Sequence, residues 1–238
     1  MVWLSRLFAG QEAANARLTA SQQLRISAWR QLPAAAMTRS HYRSRYVVVD
    51  VEIAGGDWQT DPLGAIGAVA VVDGLIAFQD ALQVVVATAT PASAADQSTS
   101  RQGLTRQDGV EQGADSLLDF LDFVGKAPLV AYHASFAARR IERAIAEALG
   151  VDLRLPWIDL AWVMASLFRD AGDARTRMDV WLAHFGVESG ERHNAVFDAY
   201  ATAKLLQVSM ARAARKGFET PASLVELEKA HRHLYQSA

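Results

Sequence analysis

The chain has 238 residues, of which 51% are hydrophobic and 21% are charged, and it contains no cysteine. This is the composition of a globular protein with a full core. The missing cysteines exclude disulfides, thiolate zinc sites and cysteine nucleophiles, and they suit a reducing cytoplasm. No apolar run approaches the roughly 20 residues that span a bilayer. We therefore expect a cytoplasmic protein with no membrane partner.

The net charge of −2 is unevenly distributed along the chain. Residues 1–49 hold seven arginines and a single acid, whereas the rest of the chain is acidic overall. Such a basic arm could contact phosphate backbones, or it could be an amphipathic helix that packs against the acidic body. A transit peptide is a third interpretation. We favour packing, because the arginines are spread out rather than clustered.

The predicted elements begin with a helix over residues 8–32, which Pro33 interrupts, and a linker over residues 34–44. Three strands follow, and the Asp73-Gly74 pair between the second and third is typical of a tight hairpin turn. The predicted strands are Arg45–Glu52, Ala65–Val72 and Leu75–Val86. They indicate an antiparallel meander.

The second half of the chain alternates between short strands and helices. Residues 87–112 lack periodicity and predict a long surface loop. Two further strands are expected at Leu129–Tyr132 and Trp157–Leu160. Helices are expected at Ala114–Lys126, Phe136–Leu149, from about 160 to Phe168, Met178–Phe185, Ala195–Arg215 and Pro221–Tyr235. The pattern predicts an α/β fold, a mixed sheet flanked by helices.

Two carboxylates stand at the end of the first predicted strand. Asp50 and Glu52 are two residues apart, so both side chains leave the same face of the strand. They precede a predicted turn, Ala54 to Asp57, at a sheet edge where α/β proteins place their ligands. Two carboxylates so close repel each other unless a cation lies between them. Alone, this pair would more often be two exposed acids.

A second pair lies about 140 residues later. Asp198 falls in the first turns of a predicted helix, and His193 precedes that helix, five residues earlier. An offset of five does not share a helical face, so His193 would act from the loop, at the distance of a base from a metal held by Asp198. A lone histidine of this kind would more often cap or pack locally.

Together these motifs resemble those of the DnaQ-like 3′→5′ exonucleases, the DEDDh group that includes the epsilon subunit of bacterial DNA polymerase III. The resemblance runs from about residue 45 to 216 and implies an RNase H-like fold. Its further matches are Ile66-Gly67-Ala68-Val69, residues 129–136, Trp157-Ile158-Asp159, and residues 192–203.

The resemblance implies two-metal hydrolysis of the 3′-terminal phosphodiester of a single-stranded nucleic acid. Asp50, Glu52 and Asp198 would hold Mg²⁺ or Mn²⁺, and His193 would act as the general base. Ile53, Ala54, His133 and Phe136 correspond to the positions that seat the substrate. One ion is expected from these ligands, and the second ion is in doubt.

The doubt comes from Ala137, which stands where the family has a further metal-binding aspartate. Glu142 is five residues on and faces away, and Asp159 reads better as a helix N-cap. Ile53 and Ala54 also depart from the family pattern, where a threonine is usual. Several departures suggest natural drift, although an engineered substitution at 137 would look the same.

The sequence therefore leaves three functions open. The first is a 3′→5′ exonuclease weakened by the loss of one ligand, and the second an inactive module that binds nucleic acid or a polymerase. The third is an exoribonuclease similar to RNase T or oligoribonuclease. A DNA polymerase or another replication or repair protein is a possible partner. We expect three parts: a basic arm (1–44), an exonuclease domain (45–216) and a C-terminal helix packed on it (217–238).

Overall fold

The computed structural model describes residues 18–55, 61–86, 106–188 and 194–236. Within these ranges the chain forms seven α-helices and a five-stranded sheet. The strands are β1 (Arg45–Ile53), β2 (Leu63–Val72), β3 (Leu75–Val85), β4 (Leu129–Ala131) and β5 (Trp157–Asp159). The helices are α1 (Ala20–Gln31), α2 (Arg106–Val124), α3 (Ala134–Leu149), α4 (Leu160–Leu167), α5 (Met178–His184), α6 (Ala195–Ala214) and α7 (Pro221–Gln236).

The sheet is mixed, with strand order β3-β2-β1-β4-β5. β1, β2 and β3 pair antiparallel as a meander, whereas β4 and β5 run parallel to β1 and to each other. Asp73 and Gly74 join β2 to β3, and both have positive φ angles, 53° and 83°. This is the backbone of a type I′ turn, whose twist matches that of the flanking strands. The predicted α/β class, meander and hairpin are confirmed.

Two hydrophobic clusters cover the two faces of this sheet. Val47 and Val49 of β1 contribute to a cluster with α1, α2 and α3. Tyr46 and Val48 contribute to a second cluster with α4, α5, α6 and α7. Because strand side chains alternate, the even-numbered residues of β1 face α6 and the odd-numbered ones face α3. This alternation decides on which side the acids of β1 emerge.

The N-terminal helix begins later than the sequence pattern predicts. Thr19 caps α1, because its side chain accepts a hydrogen bond from the amide of Gln22 while the Gln22 side chain accepts one from Thr19. This reciprocal capping box starts the helix at Ala20 rather than at residue 8. Residues 8–17 of the prediction lie outside the described part of the chain.

The described part of the basic arm packs on the body. Arg25 of α1 donates hydrogen bonds to Asp119 and Asp122 of α2, at distances of 2.6 to 2.9 Å. Trp29 donates from its indole nitrogen to the carbonyl of Gly125 at 2.8 Å. For Arg25, the expectation that arm arginines pair with acids of the body is confirmed.

The linker after α1 is fixed by a buried histidine. The His41 ring lies 2.6 Å from the Tyr46 hydroxyl through Nδ1 and 3.0 Å from the Phe218 carbonyl through Nε2. A neutral imidazole satisfies both partners, with Nε2–H donating to the carbonyl and Nδ1 accepting from the hydroxyl. Burial lowers the pKa of His41 and raises that of Tyr46, which favours this neutral arrangement.

The long loop predicted over residues 87–112 is wrong at its C-terminal end. Residues 106–112 are helical, because α2 begins at Arg106. Apolar periodicity marks only the part of a helix that has a buried face. A helix can extend beyond that part, because each further residue adds one backbone hydrogen bond. The turn before Ala114 therefore gave no periodic pattern. Residues 87–105 lie outside the described ranges.

The other predicted elements are confirmed with ends that differ by one to three residues, as is usual for helix and strand boundaries. Gly150 ends α3 in the left-handed region. In the ranges that the structure covers, no helix is long and apolar enough to cross a membrane. The division into an arm, a domain and a C-terminal helix stays a prediction.

Candidate active site

Asp50 and Glu52 lie near the C-terminal end of β1, on the sheet face that packs against α6. In the register of the sheet, Asp50 is opposite Gly67 of β2 and Glu52 is opposite Ala65. The pairing becomes irregular between Glu52 and Ile53. β1 therefore places both carboxylates on one face of the sheet near its end, as strand alternation predicts.

The N-terminus of α6 is pressed onto β2 beside these acids. A Cβ built on Gly67 would lie 2.0 Å from the carbonyl carbon of Ala195 and 2.3 Å from the nitrogen of Val196. No side chain other than hydrogen fits such a gap. Gly67 therefore sets how closely the first turn of α6 approaches the strand that pairs with Asp50.

Glu52 and Asn194 satisfy the first amides of α6. Asn194 is the N-cap and accepts hydrogen bonds from Val196 and Phe197, while Oε1 of Glu52 accepts one from Ala195 at 2.8 Å. The partial positive charge of a helix N-terminus favours carboxylates at this position. Glu52 thus joins β1 to α6 across the site.

Asp198 brings a third carboxylate to this place. It lies in the first turn of α6, and its charge acts on Asp50. Burial, followed by the charges of Asp198 and Glu52, raises the pKa of Asp50 to about 7. Each neighbouring carboxylate makes a further negative charge at this position less favourable. The structure thus brings together the three predicted acids, although they are about 150 residues apart in the chain.

These acids fit a divalent metal ion in donor type and in charge. Carboxylate oxygens are the ligands that Mg²⁺ and Mn²⁺ prefer. Within the described ranges, no three aspartate, glutamate or histidine side chains are placed so that they could hold a metal ion as they stand. One oxygen of Glu52 binds the Ala195 amide instead. His193, the predicted base, lies outside the described residues.

His133 and Phe136 lie at the start of α3. His133 is the N-cap of that helix and has a left-handed backbone, with φ 59° and ψ 54°, and its side chain caps nothing. Its amide donates to Oδ1 of Asp159 at 3.1 Å, and its carbonyl accepts from Phe136 at 3.0 Å. The ring of Phe136 lies 5.5 Å from the guanidinium of Arg140.

Ile53 and Ala54 lie where β1 leaves the sheet. The amide of Ala54 donates to the carbonyl of Pro62 at 3.0 Å, and Arg140 of α3 donates to the carbonyl of Asp61 at 2.7 Å. Arg140 therefore joins the Phe136 region to Asp61, just before β2. The predicted substrate positions of β1 and α3 are thus connected through Asp61 and Pro62.

Ala137 is buried and apolar in its surroundings. It is 4% exposed and belongs to the cluster that contains Val47 and Val49, on the face of the sheet opposite to Asp50. Glu142 does not compensate, because its Oε1 accepts from the indole nitrogen of Trp157 at 3.0 Å. Asp159 caps α4 through Ala161, as predicted.

Two features of the site region were missed by sequence reasoning. Gly67 was noted only as part of a matching motif, and a glycine inside a β-branched run was the available sign of a close backbone approach. The contact of Asp159 with Arg232 of α7, at 2.7 Å, had no sign in the sequence. The two residues are 73 positions apart and belong to no motif.

Sequence comparisons identify the family of the chain. The family model described as RNase_T, Exonuclease, matches residues 47–206. DNA polymerase III PolC-type of Clostridium perfringens is 28% identical over 168 residues, which are 71% of this chain and 11% of that protein. The PolC-type enzyme of Thermotoga petrophila is 27% identical over 70% of this chain and 12% of that protein. The chain thus spans about a tenth of the length of these relatives.

Solved structures share the fold at lower identity. Exonuclease X in complex with 5′ overhanging duplex DNA has a TM-score of 0.52 and 18% identity, and the match covers 77% of this chain and 99% of that one. Cell-death related nuclease 4 has a TM-score of 0.51 and 14% identity, over 73% of this chain and 66% of that one. With the family match over most of the sheet and α6, the chain belongs to the RNase_T exonuclease family and has the fold of a DnaQ-like exonuclease.

Proposed function

We propose that this chain is a divalent-metal-dependent 3′→5′ exonuclease that acts on single-stranded nucleic acid and is weakened at Ala137. The observation that carries the proposal is the convergence of Asp50, Glu52 and Asp198 at the junction of β1, β2 and α6. Structural roles alone do not explain three carboxylates at one partly buried place, because they repel each other.

In this proposal each acid has a stated task. Asp50 and Asp198 provide carboxylate oxygens for a divalent ion, and Glu52 provides another while it holds the first turn of α6. His193 takes the proton of the attacking water, a role that imidazole suits near neutral pH. When bound, the ion would supply Lewis acidity for that water and charge for the departing oxygen. The product is a 5′-mononucleotide.

The terminal nucleotide is proposed to lie between the end of β1 and the start of α3. Ile53 and Ala54 border it on one side, and His133 and Phe136 on the other. Arg140 connects the two sides through the carbonyl of Asp61 and the ring of Phe136. An aromatic ring beside a cation is a suitable seat for a base and its phosphate.

Ala137 is the reason to expect weak catalysis. Its methyl group cannot bind a metal, and it is packed among hydrophobic side chains. Glu142 and Asp159 are engaged with Trp157 and with the start of α4. Removal of one ligand from a two-metal site costs several kcal/mol of transition-state stabilisation, which corresponds to orders of magnitude in rate.

The burial of Ala137 among hydrophobic side chains also favours a second candidate function. A site whose ligand position has become part of the core fits an inactive module that binds nucleic acid or a polymerase partner. The PolC-type relatives are DNA polymerases, and this chain matches about a tenth of their length. A partner of that class is therefore included in the second proposal.

One assay separates the two functions. The parent, Asp50→Ala and Ala137→Asp are incubated with Mn²⁺ and a labelled single strand, as DNA and as RNA in parallel. Ala138→Asp is the matched control, since it adds an acid to the same helix outside the buried stripe of α3. The exonuclease proposal predicts that the parent exceeds Asp50→Ala and that Ala137→Asp exceeds the parent.

Two results would contradict that proposal. A parent no faster than Asp50→Ala, beside an active Ala137→Asp, would establish the inactive module. If no variant releases mononucleotides and the parent does not bind the strand, both proposals fail. Faster hydrolysis of RNA than of DNA would favour the exoribonuclease interpretation.

A further inference from the structure

A buried carboxylate joins the candidate site to the C-terminal helix. The side chain of Asp159 is 3% exposed. Its Oδ1 accepts hydrogen bonds from the amides of Ala161 and His133, and its Oδ2 accepts one from Arg232 of α7 at 2.7 Å. Asp159 therefore links the start of α3, the start of α4 and α7. α7 lies beyond the residues that the family model matches.

Arg232 is itself held in a fixed position. Its Nε donates to Glu228 at 2.9 Å, and its guanidinium lies 4.8 Å from the centre of the Trp162 ring. The other oxygen of Glu228 accepts a hydrogen bond from the backbone amide of Asp159 at 2.8 Å. Two residues of α7 therefore bind both the main chain and the side chain of Asp159. A guanidinium fixed in this way loses little freedom when it binds a carboxylate.

The turn that Asp159 holds needs support. His133 has a left-handed backbone, which residues other than glycine seldom adopt, and no side chain caps its helix. Such a conformation persists only where the surroundings impose it. The bond from its amide to Asp159 ties this turn to the rest of the structure, beside the bond from the Tyr132 hydroxyl to the carbonyl of Thr176. Burial raises the pKa of Asp159, and the charge of Arg232 opposes that rise.

We propose that Arg232 is a positioning residue, which fixes the turn at His133 through Asp159 and thereby orients His133 and Phe136 towards the terminal nucleotide of a single strand. This rests on the proposed function, since the nucleotide is the ligand of that same site. Without Arg232, Asp159 would be a buried carboxylate with no cationic partner. It would then take up a proton, which weakens its oxygen as an acceptor for the His133 amide, or turn away, which removes that acceptor.

The test compares substitutions on one helix. Arg232→Met removes the charge and keeps most of the volume, and Arg232→Lys keeps the charge without the planar fork. Lys229→Met is the matched control, because Lys229 is exposed on α7 and its recorded partner is Glu226 on the same helix. If Arg232→Met does not fold, the parent is compared with Arg232→Lys instead.

Two measurements are made on each variant. The first is the dissociation constant, in Mn²⁺, of a labelled single strand whose 3′-terminal linkage resists hydrolysis, so that no turnover interferes. The second is the NMR resonance of the His133 backbone amide, in protein labelled with ¹⁵N-histidine. The chain has six histidines, so few resonances appear in the spectrum. The resonance is assigned by its loss in His133→Gln. A role in stability alone would leave the dissociation constant unchanged in a folded variant.

We expect Arg232→Met to weaken binding roughly tenfold, as for loss of a charge-assisted contact, and to shift the His133 resonance. Arg232→Lys should recover part of both effects, and Lys229→Met should match the parent. A folded Arg232 variant with parental binding and an unmoved resonance would overturn the inference alone. A parent that does not bind the strand would overturn the proposed function, and the inference with it.

Discussion

Gly67 provides the sharpest test of how this site is assembled, through the substitution Gly67→Ala. The added methyl would lie 2.0 Å from the carbonyl carbon of Ala195 and 2.2 Å from its oxygen. Ordinary van der Waals contact begins at 3.4 Å. The first turn of α6 must therefore retreat by more than an ångström, because the atoms in contact are backbone and cannot rotate away.

The size of the effect follows from two contributions. Overpacking of a close contact costs about 1–3 kcal/mol. The hydrogen bond from the Ala195 amide to Glu52 would be stretched, and a bond to a charged group is worth about 1.5–3 kcal/mol. We therefore expect a loss of roughly 2–5 kcal/mol in the free energy of unfolding. Catalysis should fall about a hundredfold, since a shift of about an ångström misaligns reacting groups.

The assay measures chemical denaturation and Mn²⁺-dependent release of nucleotides for the parent and for Gly67→Ala. Gly217→Ala is the control. It places alanine at φ 84° with no atom within 4 Å, so it adds backbone strain far along the chain from the first turn of α6. The two variants separate a general loss of stability from a displacement of Asp198 and Glu52.

The reasoning is refuted if Gly67→Ala keeps parental activity and stability, because the contact with α6 would then be looser than the structure shows. It is also refuted if Gly217→Ala loses as much activity as Gly67→Ala at equal stability. In that case the loss would not depend on the position of α6.

The remaining predictions concern stability. Because the pKa of His41 is lowered in the folded protein, the unfolded chain takes up the proton first as pH falls. The contribution of His41 to the free energy of unfolding should thus be full above pH 6.5 and decline below it, towards the folded pKa, by up to about 1.4 kcal/mol per pH unit. In a denaturation series the difference between the parent and His41→Asn should follow this decline, because the other titrating groups cancel in it; a difference that does not change with pH would contradict the assignment. Thr19→Ala removes the cap of α1 and should cost about 1 kcal/mol, with Ser27→Ala on the same helix as the control. Arg25→Met should cost at most about 1 kcal/mol, since the pair is partly exposed, and the difference should shrink in high salt; a loss unaffected by salt would contradict an ionic origin.

The fold was largely predictable because its elements carry local patterns. The continuous apolar strand around Val48, the Asp73-Gly74 turn and the glycine that ends α3 are decided by neighbours in the chain. The errors lie at helix ends that apolar periodicity does not mark. The start of α1 depends on one reciprocal cap at Thr19, and the first turns of α2 carry no apolar stripe.

The site was predictable in its acids but not in its supports. Strand alternation places Asp50 and Glu52 on one face and Asp198 lies at the start of a helix, but it was the combined resemblance to a known family that marked these acids as a site. Gly67 and Arg232 act through contacts between distant parts of the chain. No spacing rule predicts that α7 reaches Asp159, because that contact depends on how α7 packs against β5 and α4.

The three acids are not equally informative about function. Glu52 satisfies the first amide of α6, so a protein without catalysis would keep the same residue for its structure. Asp50 is different, because burial and two neighbouring carboxylates make its charged form unfavourable. A polar or apolar residue of similar size would stabilise the metal-free fold more than this aspartate does. The presence of Asp50, rather than that of Glu52, is therefore the stronger argument that the site binds a cation, and comparison of Asp50→Ala with the parent is the comparison that decides the function.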